Sequence, residues 1–201
     1  VVVSREQFNL EQLALVRRRQ AGAEARVARH FRIPALPSSV YPFEVVTLGD
    51  MAGDERAEDA LAHLLIYERP RARGVEHLYR ICLQDDVILR RSQEAAGLAR
   101  EGALGALLSY VLTHELVHVV RFQRGEQRFD EADRRSRDRE EQRVHQLTLD
   151  LLRREPGLPD PDRFIELLGM PAEQTTVVQA EDQGWPGPPE SPLVRPGGGL
   201  I

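Results

Sequence analysis

At 201 residues, 41% hydrophobic and 29% charged, the chain fits one domain with a core of its own. Its net charge is −5 and its 27 basic residues are all Arg, so no nucleic-acid partner is expected. A single cysteine, Cys82, excludes a disulfide framework within the chain and makes the cytoplasm the natural compartment. No stretch reaches the roughly 18 uninterrupted apolar residues of a membrane span. Val1-Val2-Val3-Ser4-Arg5 lacks the basic region and apolar run of a signal peptide.

The spacing predicts a first helix over residues 5–31. Phe8, Leu13, Val16, Val27 and Phe31 recur near helical intervals, and Pro34 and Pro37 end it. Phe43 to Leu48 reads as a strand closed by Gly49-Asp50. A helix is expected from Glu55 to Glu68, with Asp54 as N-cap and Ala57, Leu61, Leu64 and Leu65 facing inward. His77 to Leu83 and Val87 to Arg91 read as β-prone runs joined by a tight turn at Gln84-Asp85-Asp86, a predicted hairpin. Cys82 then belongs to the core, and His30 and His63 to the surface or to helix contacts.

A long helical stretch follows from about Glu94 to Gln123, with Gly102 and Gly105 marking a break. Its second half is apolar nearly all round, the pattern of a buried helix. Between Arg121 and Arg143 eight Arg face seven acids, so this segment reads as a solvated, charge-balanced surface. A further helix is predicted over about Asp133–Arg154, with Val144, Leu147 and Leu151 inward. A short one runs from Pro161 to Leu168, with Asp160 as N-cap and Gly169 past its end. From Pro171 the chain is rich in Pro and Gly without periodicity, which predicts a domain over 1–170 and a flexible tail over 171–201.

The chemistry concentrates in His114-Glu115-Leu116-Val117-His118, an H-E-x-x-H pentapeptide inside the most apolar predicted helix. Residues four apart lie on one helix face, so both imidazoles can reach one Zn²⁺. Glu115 can act on a water held there. Burying two His and a Glu without partners would cost several kcal/mol, and a metal removes that cost. A catalytic zinc needs a third protein ligand and one open position. On the next predicted helix stand Glu140, Glu141 and His145, beside the apolar positions Val144, Leu147 and Leu151.

Residues 107–152, about a quarter of the chain, resemble the active-site helix pair of gluzincin-type metallopeptidases, especially the compact intracellular ones of the ImmA/IrrE kind. The metzincin pattern is absent, because Arg121 and Arg124 stand where it has Gly and His. The resemblance implies an α+β, zincin-like fold, mostly helical, with a small sheet or hairpin over the active-site helix. It implies that the hairpin of His77 to Arg91 forms the cleft edge, where extended substrate adds as a strand. It implies a zinc-dependent metallopeptidase with His114 and His118 as ligands and a downstream Glu as the third. Glu140 lies on the apolar stripe, whereas Glu141 sets His145 one turn below itself, as the gluzincin arrangement does. The resemblance puts Glu141 first and leaves Glu140 open. Peptide-bond hydrolysis would use metal-activated water, with Glu115 as general base. His145 is a candidate for ligand support, for oxyanion stabilisation or for third ligand; Tyr110 and Arg121 are further oxyanion candidates.

Two other readings stand beside the peptide-cleaving enzyme. One is a binding or regulatory protein that keeps the metal on the same scaffold without proteolysis. The other is a metal-free helical protein with an accidental motif.

Overall fold

Local chemistry decides the first boundary. The computed structural model describes residues 6–38, 40–52, 55–57, 60–71, 74–96, 102–127, 134–154 and 178–179. Helix α1 spans Leu10–Phe31, beginning later than residue 5 because Asn9 caps it. Asn9 and Gln12 bond each other's backbone N–H reciprocally, at 2.9 and 2.8 Å. Arg32, in the left-handed region, ends the helix two residues before Pro34.

Strand β1 is Phe43–Val46, followed by a single 3-10 turn at Leu48–Asp50. Strands β2 (Ala62–Arg71) and β3 (Gly74–Leu83) pair antiparallel along their whole length. Helix α2 spans Asp85–Ala96, α3 spans Ala103–Gln123 and α4 spans Arg134–Leu152. A two-residue strand, β4 (Val178–Gln179), completes a sheet of order β1-β3-β2-β4, in which β1 and β4 run parallel to their neighbours. Among the described residues the protein is thus α+β, with four helices and a small sheet.

Two readings from the sequence are corrected. Residues 62–68 are not helical; they lie in β2. The reason is burial on both faces. Leu64 and Ile66 join the main core, while Leu65 and Tyr67 join a second cluster with Val46, Leu48, Met51, Leu78 and Cys82. A strand covered on both sides shows a continuous apolar run and loses the alternation that would identify it. The predicted hairpin of His77 to Arg91 does not form either. Its first run is β3, but β3 pairs with β2 and β1, and Val87–Arg91 lies in α2. Asp85 and Asp86 open α2, where acids favour a helix N-terminus. The Asp85 carboxylate also accepts the backbone N–H groups of Phe8 (2.9 Å) and Leu48 (3.1 Å), tying three segments together. β3 therefore cannot be the open cleft edge over residues 79–82, where β1 and β2 occupy both of its sides.

His63 is also corrected: it is buried in β2, beside Gln84, rather than at the surface or between helices. On the same side of the sheet, Arg80 sits between Glu44 (2.8 Å) and Glu55 (2.9 Å), and Tyr67 donates to Glu55. Cys82 is fully buried, and burial pushes its thiol well above the usual range, as for an inert core cysteine. His30 is exposed at the end of α1.

Within the predicted long helical stretch, α2 ends at Ala96 and α3 begins after its N-cap, Gly102; Gly105 lies within α3. α3 packs against α1, α2, α4 and the inner face of the sheet. By length and composition it could cross a membrane, yet 94% of its most apolar stretch is buried inside the fold. That position at the centre puts the pentapeptide in the core. The short helix predicted at 161–168 and its caps lie outside the described residues, as does the tail apart from β4.

Candidate metal centre

One face of α3 carries a column of rings at four-residue spacing. Tyr110, His114, His118 and Phe122 follow one another with centroid separations of 5.7, 4.8 and 5.9 Å. The column faces α4, which supplies Glu141 and, one turn later, His145. Spacing of four places each pair on the same face of its helix. Between Glu141 and His145 in sequence, Val144 on α4 is fully buried in the core.

His114 and His118 are fully buried and their Nε2 atoms stand 3.2 Å apart. The Glu141 carboxylate straddles them, with Oε2 3.4 Å from His114 Nε2 and Oε1 3.4 Å from His118 Nε2. These three side chains offer ligand atoms that all lie within 4.8 Å of one another. A tetrahedral ion with bonds of about 2.05 Å spaces its ligand atoms about 3.3 Å apart. The donor set, two imidazole nitrogens and a carboxylate, therefore fits a small divalent cation in both type and spacing.

For His114 and Glu141 the protonation tendencies agree with that. Burial lowers the pKa of His114 to about 4, against the opposing pull of Glu141, so its ring is neutral at pH 7. Burial alone would raise Glu141, but the hydrogen bonds and charge of the two imidazoles bring it down to about 2. A neutral imidazole and an ionised carboxylate are the forms that ligate metals. His118 is shifted upward because Glu141 outweighs the effect of burial.

Glu115 is the remaining ionisable group of the pentapeptide. It is buried, and burial pushes its carboxyl up to about 7. One of its oxygens, Oε2, has no hydrogen-bond partner among the described residues. It lies close enough to feel the charges of His118 and Glu141. A buried carboxyl with an unsatisfied oxygen is costly as structure alone and marks a candidate for chemistry.

The two neighbouring glutamates separate cleanly. Glu141 joins the imidazoles, while Glu140 is buried against Arg121, at 2.6 Å. Arg121 also holds Glu126 at 2.9 Å, so its guanidinium is engaged in ion pairs rather than presented to the histidines. Tyr110 donates to or accepts from His145 Nδ1 at 2.8 Å, which orients that ring beside His114. His145 is not among the three converging donors. Sequence reasoning missed Gln127, whose Oε1 lies 2.9 Å from His118 Nδ1. It sits in a segment that reads only as charged surface, and nothing in its spacing ties it to the motif.

Comparison with protein-family models, with curated proteins and with solved structures found no match to this chain.

Proposed function

We propose that this protein is a zinc-dependent metallopeptidase on a zincin-like scaffold of the gluzincin type. His114, His118 and Glu141 would hold the ion. The observation that carries the reading is the separation of their donor atoms, 3.2, 3.4 and 3.4 Å. A zinc ion there would supply Lewis acidity toward a scissile carbonyl and lower the pKa of the attacking water. Glu115, buried in the pentapeptide, would take the proton from that water and pass it to the leaving amine. Water is thereby added across the C–N bond, its hydroxyl to carbon and its proton to nitrogen. His145, braced by Tyr110, would donate toward the carbonyl oxygen as charge builds there.

The test uses the full chain. Elemental analysis should find about one zinc per chain, and Glu115→Gln should keep the zinc while hydrolysis of a broad peptide library falls by about 100-fold or more. Full activity in Glu115→Gln, or no zinc uptake by the wild type, refutes the proposal.

One observation favours a second reading, a metal-holding binding or regulatory protein without proteolysis. His114 and His118 have no exposed surface, Glu115 is 1% exposed, and only Glu141, at 13%, reaches outward. The two readings part on one result: zinc-loaded wild type that cleaves nothing in the library supports the second.

A further inference from the structure

Burying a ring nitrogen without a hydrogen-bond partner is costly. His118 directs Nε2 to Glu141 and His114, and Nδ1 to the carboxamide oxygen of Gln127 at 2.9 Å. An amide oxygen accepts and cannot donate, so Nδ1 carries the proton. The lone pair available for coordination is then on Nε2, the atom that faces the shared point.

The backbone is built to return Gln127 to this position. α3 ends at Gln123 with Arg124 as its C-cap, and Gly125 follows with φ of 68°. The Gly125 N–H bonds the carbonyl of Phe122 and the Glu126 N–H bonds that of Arg121, both at 2.9 Å. This pair of bonds is the Schellman closure, which needs a left-handed residue where Gly125 stands. Arg121 then ties Glu126 of the turn to Glu140 of α4. The turn is thus fastened to both helices that carry the converging donors, and Gln127 folds inward from an otherwise exposed segment onto a ring nine positions earlier.

We infer that Gln127 is a positioning residue of this site, holding the His118 ring and its tautomer so that Nε2 is offered to a divalent cation together with His114 and Glu141. The inference rests on the metal-centre reading above. Supporting partners of metal-bound histidines typically contribute 10–100-fold in metal affinity.

Zinc affinity is measured on the full chain by competition with a chromophoric chelator. Gln127→Leu should weaken it about 10–100-fold, and Gln127→Glu, which keeps an acceptor, should stay within a few-fold of wild type. In parallel, ¹⁵N NMR of the metal-free wild type, at a pH where the His118 ring is neutral, should show Nδ1 protonated and Nε2 bare, a result that does not depend on any variant folding. A proton on Nε2 alone, with Nδ1 bare, overturns the assignment, because Gln127 would then be turned to donate. Unchanged zinc affinity in Gln127→Leu overturns the positioning role alone. Failure of the wild type to bind zinc overturns the metal-centre reading itself and, with it, any role of Gln127 toward a cation.

Discussion

Exchanging the carboxylate for an amide at either of two adjacent positions should produce opposite results. Glu141→Gln removes the charge that straddles His114 and His118. Glu140→Gln leaves that group intact and breaks the 2.6 Å pair with Arg121, whose partners are 16% and 7% exposed. Free zinc at 100 times Kd stabilises the wild type by about 2.7 kcal/mol. At about 2–4 °C per kcal/mol for a domain of this size, that is a rise in Tm of roughly 5–11 °C. A site weakened 100-fold by Glu141→Gln retains RT ln 2 at the same zinc concentration, about 0.4 kcal/mol, and a shift of about 1–2 °C. Glu140→Gln should keep the full zinc-dependent shift but start lower. Losing a charge-assisted bond costs about 1.5–3 kcal/mol, and the lower figure applies because Gln keeps an acceptor and Arg121 keeps Glu126. Melting is followed by calorimetry with zinc and with chelator. Loss of the zinc shift in Glu140→Gln and its survival in Glu141→Gln would refute the assignment of the third ligand.

Two further outcomes are expected. Asp85→Ala should destabilise the protein by about 2–6 kcal/mol, since the buried N–H groups of Phe8 and Leu48 both lose their acceptor; Asp85→Asn should fall between. Urea unfolding measures it, and a change below about 1 kcal/mol would mean that Asp85 does not lock these segments. His145→Ala should lower turnover by about 100-fold while the zinc-dependent rise in Tm is retained. Loss of that rise would instead make His145 a ligand.

The parts legible in the sequence are those set by helical periodicity. His114, Glu115 and His118 are four-residue neighbours on any helix, and the apolar residues around them fit only a buried one. The second helix could be read for the same reason, through Val144, Leu147 and Leu151. The apolar run at Leu64, Leu65, Ile66 and Tyr67 was ambiguous, because its two faces are buried against different groups of residues. Val87 to Arg91 was misread because β-branched residues after two acids resemble a strand after a turn. In the fold Asp85 and Asp86 form the first turn of a helix whose Val87, Ile88 and Leu89 are all buried.

The sequence by itself determined that a buried helix presents two histidines on one face, with a glutamate between them and an acidic pair on a later helix. Intrahelical spacing is enough for that, since it does not depend on how the helices meet. Only the tertiary structure decided between Glu140 and Glu141, because one residue of helical rotation, about 100°, turns one toward Arg121 and the other toward the imidazoles. It also brought Gln127 to His118, a contact that depends on the left-handed turn at Gly125 rather than on any periodic signal.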